Sequence, residues 1–457
     1  MKKGIKTLKY LSTGFLLFAA MSCDNMLDVN LPTSELDSST IYQSDETAEA
    51  AVNGIYASMV TSTYYNALHT VLGETSDELV LNTLLDNVYT SNEIPVDDSY
   101  MSSMWTELYK TIYDANAVIE GISSSATLTN ALAVNWIGEA KFLRAYCYFY
   151  LVNLWGEIPL ITTTDVEENA LAERSSIASV YDQIMSDLNE ATIALPEDYT
   201  NYSSNRSRAT RWAAYALRAR INLYLENWEE AESDASQVIS QTSLFSLVTG
   251  LTSTNSPFIL NSNEAILQLA YYNVTYTYEG SAVYTTSGTY MLRNGNSLFQ
   301  SGDARLTNWT ITVTGADNNT YLAPRKYKNS YSSTPSERST LLRLAEVYLI
   351  RAEARVEQNN LDGAIQDLET IRSRAELTGS GAADDNDQAS ILAAIYSERQ
   401  REFFAECGHR WLDLKRTGTV DSVLSGIKSQ WSSNDALYPI PEKAINTNPN
   451  LTQNTGY

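Results

Sequence analysis

The chain has 457 residues, with 55 Asp and Glu against 31 Lys and Arg, a formal net charge of −24. So acidic a chain is a poor match for nucleic-acid phosphates and offers no polybasic patch for anionic lipid. Its length is ample for a large core and for one to three domains.

Lys2, Lys3, Lys6 and Lys9 precede an apolar run, Leu11 to Met21, and then Ser22 and Cys23. The run is too short to span a bilayer, so residues 1–22 read as a cleavable signal. A cysteine directly after it marks a lipoprotein site with Cys23 as the diacylated N-terminus, although Ala20 and Met21 depart from the commonest pattern. Loss of the four lysines takes the net charge from −24 to −28. Any membrane attachment then comes from lipid. The other cysteines, Cys147 and Cys407, each sit inside a helical pattern; they form either one bridge or, as expected of so cysteine-poor a chain, two buried thiols.

Residues 23–44 read as a polar tether. From Asp45 to Val60, Ala48, Val52, Ile55 and Met59 share a face and predict a first helix. Tyr64 to Met104 reads as irregular, with an acidic segment, Glu74 to Glu78. Trp105 to Ile119, Trp136 to Leu154 and Ile177 to Ala191 predict three more helices. Ala214 to Tyr224 and Trp228 to Ile239 form a helical hairpin. A second hairpin, Leu341 to Val356 and Leu361 to Ile371, turns at Gln358–Asn359–Asn360. Laid on each other 133 residues apart, the two place Ala219 on Ala352 and Ala231 on Ala364, a weak internal repeat of stacked hairpins.

Between them, from Ser246 to Ser336, helical periodicity stops. Tyr271, Tyr272, Tyr276, Tyr278, Tyr284 and Tyr290 crowd into twenty residues, and Ala265–Ala270 and Trp309–Val313 have the alternation of short strands. A long irregular insertion in a helical protein is usually functional. The tail after Leu437, with Pro439, Pro441 and Pro449, reads as an extended surface strap. The fold class is therefore all-α, helical hairpins carrying irregular insertions and a few short strands.

Hydrolytic chemistry is hard to assemble. The histidines are His69 and His409, and HExxH, GxSxG, GxxxxGK[ST] and CxxC are all absent. Paired carboxylates for glycoside hydrolysis are available among 55 acidic residues, but none stands out. Glu398, Glu402, Glu406 and Arg410 stand at four-residue steps with Asp413 three beyond on one helix, Glu398 to Arg416, a spacing that suits a structural ion-pair network between packed helices. The aromatic segments suit a sugar better, because tyrosine offers an apolar face and a hydroxyl, with Asn and Asp beside it to bond the ring hydroxyls. The candidate ligand residues are Asp77, Asn87, Tyr89, Tyr100, Tyr272, Tyr276, Tyr278 and Tyr284. No cofactor or metal site is expected.

Several stretches together resemble the SusD/RagB family of outer-membrane nutrient-binding lipoproteins. They are CDNMLD at Cys23, NGIY at Asn53, EAKFLRAY at Glu139 and WGEIP at Trp155. The strongest are LRLAEVYLIRAEA from Leu342, ERQREFFAECGHRWLDLKR from Glu398, and the closing YPIP and NPNLTQNTGY. The resemblance implies a tetratricopeptide-like scaffold and a ligand face built from irregular insertions, in one domain. Its N-terminal part runs over about 45–245, the tyrosine-rich insertion over 246–336 and the C-terminal part over 337–457. It also implies a surface protein of the outer membrane without enzymatic activity, partnered with a SusC-like TonB-dependent β-barrel transporter, that captures oligosaccharides or, in some branches, peptides. Basic peptides would suit the acidic chain. Replacing Cys23 by Ala is expected to move the protein from the membrane fraction to the soluble one, read by fractionation and immunoblot.

Overall fold

The computed structural model describes residues 38–61, 63–271, 275–330 and 334–457. The signal segment, Cys23, most of the tether and Tyr272 lie outside these. The helices that build the scaffold are α1 (Asp45–Thr61), α2 (Thr63–His69), α3 (Ser99–Ser124), α4 (Asn130–Trp155), α5 (Ile177–Ala194), α6 (Arg211–Tyr224), α7 (Trp228–Ile239), α8 (Leu344–Glu357), α9 (Leu361–Arg374), α10 (Gln388–Phe403) and α11 (His409–Arg416). Side chains start several of them: Asp98 accepts from the Met101 amide, Ser176 from Ser179, Asn360 from Gly363 and Asp387 from Ser390.

Helix α4 is the hub. Every residue from Phe142 to Val152 is buried, the mark of a helix with neighbours all round. It packs on α3 and α5, and the stack continues from α5 to α6, α6 to α7, α7 to α8 and α8 to α9, with α10 closing over α8 and α9. One apolar core runs from Ala48 to Leu451.

The 133-residue repeat holds at atomic detail. Arg218 forks onto Asp234 at 2.7 and 2.8 Å, and Arg351 onto Asp367 at 2.7 and 2.9 Å. The hairpin turns pass through left-handed backbone at the equivalent residues Glu226 (φ 59) and Asn359 (φ 60). The next amide returns to the same carbonyl in both, Asn227 to Asn222 and Asn360 to Arg355. Comparable pairs, Arg144 with Asp187 and Arg399 with Asp413, join α4 to α5 and α10 to α11.

The strands form small antiparallel pairs. Strand β1 (Leu79–Leu81) pairs with β3 (Tyr290–Leu292), β2 (Ala265–Leu269) with β6 (Ser339–Arg343), and β4 (Thr310–Thr314) with β5 (Thr320–Pro324). The first pair ties the segment after Asp77 to the tyrosine-rich insertion.

Three expectations change. The stretch from Tyr64 holds α2, a one-turn helix Val71–Thr75 and β1, elements too short to show a period but anchored by buried Tyr65, Leu68 and Leu72. Helix Glu398–Arg416 is broken after Phe403 by a turn with Ala405 (φ 54), Cys407 (φ 45) and Gly408 (φ 69) in left-handed backbone. A Cβ on Gly408 would sit 2.1 Å from Leu72, so glycine is required there. The tail is more than a surface strap. Tyr438 and Ile440 are buried, Trp155 Nε1 donates to the Pro439 carbonyl at 2.9 Å, and Asn454 Nδ2 donates to the carbonyls of Trp155 and Tyr438.

The break sends the charges of α10 and α11 to partners on other elements. Glu402, with no exposed surface, accepts from Arg305 at 2.8 Å, from Arg343 at 2.5 Å and from Arg374. Arg343 and Arg374 also share Glu264, Arg305 forks onto Asp303, and Glu398 takes Arg305, Arg372 and Arg401. Glu406 takes Arg343 and Lys326. The network thus knits β6, the insertion, α9 and α10. Burial alone would raise the Glu402 carboxyl, but Arg374, Arg343 and Arg305 hold it well below the usual range. Glu402→Ala is expected to lose about 3–5 kcal/mol in urea denaturation, because it strands buried guanidiniums. Lys110→Ala, at an exposed pair with Asp114, should change stability by less than about 1 kcal/mol.

Candidate functional site

The acidic segment ahead of β1 turns inward. Asp77 forks onto Arg410 at 2.6 and 2.7 Å, and a Glu78 oxygen accepts the Ala405 amide at 2.9 Å. Asp77 is therefore a strut that holds the start of α11, with both oxygens bonded to Arg410. The sequence showed its charge but not the arginine 333 residues away that consumes it.

Beyond β1, residues 82–98 form a loop folded around Asn87. Its Oδ1 accepts the amides of Tyr89 and Thr90, at 2.8 and 2.9 Å, and its Nδ2 donates to Glu74 at 2.7 Å. This presents Tyr89, whose hydroxyl donates to Asp98, the residue that caps α3. Tyr100, exposed in the first turn of α3, meets Tyr89 edge to face with ring centres 6.4 Å apart.

The insertion reaches the same place through the β1–β3 pairing, which sets Tyr290 opposite Leu81. Tyr278 stands at the start of a π-helical turn, Glu279–Val283, and is half-buried. Burial, then Tyr100 and Glu279, push its hydroxyl up to about 12. Burial also raises Tyr290, with Glu74, Tyr278 and Tyr100 contributing, and Tyr89, with Asp98, Tyr100 and Glu74 contributing. Tyr100 thus lies near Tyr89 of the loop and near Tyr278 and Tyr290 of the insertion. Tyr276 is half-buried two residues before Tyr278. Tyr284 leaves the candidate set: it has no exposed surface, stacks on Tyr327 and donates to the Ala405 carbonyl. Tyrosine density cannot separate a core phenol that finds a carbonyl from one that faces water.

Beside the tyrosines lies a cleft of about 490 Å³, lined by Asp86, Asn87, Thr90, Arg293, Lys428 and Gln430 among others. Asn87 and Glu74 join it to the aromatic group. Arg293 and Lys428 were not singled out from the sequence, and Tyr290, though counted in the tyrosine cluster, was not among the candidate ligand residues. A signal for Arg293 existed, since it is the only basic residue between Arg220 and Arg305. A smaller groove of about 250 Å³ lies over Trp105 and Tyr109, elsewhere on α3. Trp105 is almost buried there, against Trp155.

One cluster has the residues of a thiol hydrolase. Cys407 Sγ lies 3.9 Å from His69 Nε2, and Glu279 lies 3.6 Å from the same nitrogen, while Nδ1 faces the Ala405 carbonyl. Nucleophile and carboxylate compete for one ring nitrogen, all three are buried, and burial and Glu406 push the thiol up, away from the thiolate. The cluster packs; it is not arranged to attack. Cys147 and Cys407 are both buried, and no disulfide joins them.

A family model described as starch-binding and associating with the outer membrane matches residues 25–223, and the SusD family model matches residues 270–457. The chain belongs to the SusD/RagB family. SusD-like protein P25 of Formosa agariphila is 26% identical over 521 aligned residues, covering 97% of this chain and 98% of that protein. The starch-binding protein SusD of Bacteroides thetaiotaomicron is 35% identical over 136 residues, 28% of this chain and 23% of that protein. A solved SusD superfamily structure from Bacteroides vulgatus superposes with a TM-score of 0.77 at 20% identity, covering 92% of this chain and all of that one. That likeness speaks for the fold.

Two carboxyls under this candidate site are protonation-sensitive. Burial pushes Glu74 up to about 7, against its bonds with Asn87 and the charge of Lys428, and Glu78 up to about 8, against the Ala405 amide. A raised carboxyl favours folding below its unfolded value near 4.5, and that contribution is lost as pH rises through the folded value. Glu78→Gln is therefore expected to gain stability relative to the parent between pH 5 and 7, by at most about 1.4 kcal/mol per pH unit. Urea midpoints of both proteins across that range check this.

Proposed function

We propose that this protein is a cell-surface lipoprotein that captures an oligosaccharide or polysaccharide without covalent chemistry and passes it to a TonB-dependent outer-membrane transporter. The observation that carries this reading is the convergence of Tyr89, Tyr100, Tyr278 and Tyr290 beside a polar cleft. Sugar rings have apolar C–H faces for the tyrosines and hydroxyls for the cleft's Asn87, Thr90 and Gln430. Family membership supports glycan capture, and the short apolar run ending at Cys23 supports lipid anchoring at the outer membrane. No helix among the described residues is long and apolar enough to cross a membrane. Delivery to a transporter rests on the resemblance alone.

The loops that present the tyrosines are fixed before any ligand arrives. Asn87 folds one, the β1–β3 pairing holds the other, and Asp98 positions both the Tyr89 hydroxyl and the start of α3. Such preorganisation limits the ordering that binding requires. Calorimetry and affinity electrophoresis against a polysaccharide panel should find a ligand. Tyr100→Ala and Tyr278→Ala are each expected to weaken it about tenfold, the size of one lost stacking platform. Tight binding of peptides with no binding of any glycan would replace this reading with peptide capture, and turnover of a bound ligand would replace it with catalysis.

A further inference from the structure

All the arginines of the chain fall within the described residues, and nearly all are engaged. Most fork onto carboxylates, as in the scaffold network, and Arg174, Arg206, Arg325 and Arg338 bond carbonyl or amide oxygens. Arg293 differs. Its backbone amide donates to the Glu78 carbonyl at 2.8 Å, which fixes it at the end of β3, but among the described residues no side-chain hydrogen bond or ion pair engages its guanidinium, and its buried Nε has no partner there. It lines the 490 Å³ cleft and also a neighbouring one of about 320 Å³, with Asn294, Asn296 and Tyr321, so it stands on the wall between two openings.

Burial works against its charge, and Asp86 and then Asp77 offset this only in part, through space. Asp77 is taken by Arg410. Asp86 is exposed at the rim and makes no ion pair with it. Lys428 lies below, its ammonium donating to the carbonyls of Glu74 and Thr75 at 2.8 Å each and to Asn92 at 2.5 Å, so its protons are used and only its charge reaches the cleft. Burial, then the charge of Arg293, lower Lys428 to about 7, which shows that the two cations feel each other. A half-buried guanidinium pays for desolvation with no partner in return. Its planar fork matches the paired oxygens of a carboxylate or sulfate, a match strengthened where water is thinned.

We propose that Arg293 is the specificity residue for an anionic group, carboxylate or sulfate, on the captured saccharide. This rests on the saccharide reading of the adjoining tyrosines, which stack the ring while Arg293 holds its charged substituent. Two carboxylates, Asp86 and Glu93, share the cleft lining, but both are exposed to water, and repulsion from the more distant ones is screened beyond about 8 Å at physiological salt.

The test is binding of three polymers at 150 mM salt: polygalacturonate for carboxylate, dextran sulfate for sulfate and dextran as the neutral control. Parent, Arg293→Gln, Arg293→Lys and Tyr100→Ala are compared, with melting curves to show that each is folded. At least one anionic polymer should bind more tightly than dextran and weaken as salt rises. Arg293→Gln should weaken it about tenfold or more, with Arg293→Lys between. The arm that responds tells carboxylate from sulfate. Unchanged anionic binding in Arg293→Gln overturns the proposal. So does dextran binding as tight as either anion, lost in Tyr100→Ala and indifferent to Arg293, which would leave the saccharide reading standing. Failure of every polymer to bind removes the saccharide reading and this inference with it.

Discussion

The structure depends on one buried carboxylate. Glu402 has no contact with solvent and is held by three arginines, one from the insertion (Arg305), one from β6 (Arg343) and one from α9 (Arg374). Around it the aromatic rings of Trp309, Phe403 and Phe404 lie against the cations, Lys326 only 3.9 Å from the Phe404 ring centre. Desolvating so many charges is unfavourable unless every one is answered, so the network closes in a single arrangement. That arrangement fixes a long irregular insertion onto a helical scaffold without needing a regular sheet.

The scaffold uses a simpler version of the same interaction. In four helix pairs an arginine on the first helix binds an aspartate on the second, and in α6–α7 and α8–α9 the pair recurs 133 residues apart with its turn and its backbone hydrogen bond. Apolar faces make the helices associate; the ion pair sets how far one slides along the other. Asp77 with Arg410 extends the principle to the site, since it locks the turn after α10 to the segment from which β1 and the Tyr89 loop emerge.

Much of this was legible in the residues. Helices of twelve or more residues repeat apolar positions often enough to show their period, and the offset of Ala219 from Ala352 already indicated the doubled hairpin. What failed did so for physical reasons. The break between α10 and α11 lies in residues that look helical, Ala405 and Glu406 among them, and is imposed by contacts to Glu78, Tyr284 and Leu72, all distant in sequence. Asp77 and Tyr284 looked like ligand residues because charge and hydroxyl say what a side chain can bond, not which partner reaches it first. Arg293 was passed over, and Tyr290 left out of the candidate set, because their place is set by the pairing of β1 with β3, two strands of three residues each.

On the proposed reading, function belongs to the poorly periodic segments, and the periodic ones hold them in register. The most direct measurement is hydrogen exchange of the full chain with and without a saturating glycan ligand. Protection is expected in residues 82–98, 275–293 and 427–430, with the hairpins α6–α7 and α8–α9 unchanged. Protection confined to the groove over Trp105 and Tyr109, or to the hairpins themselves, would contradict the assignment of the ligand face to these converging loops.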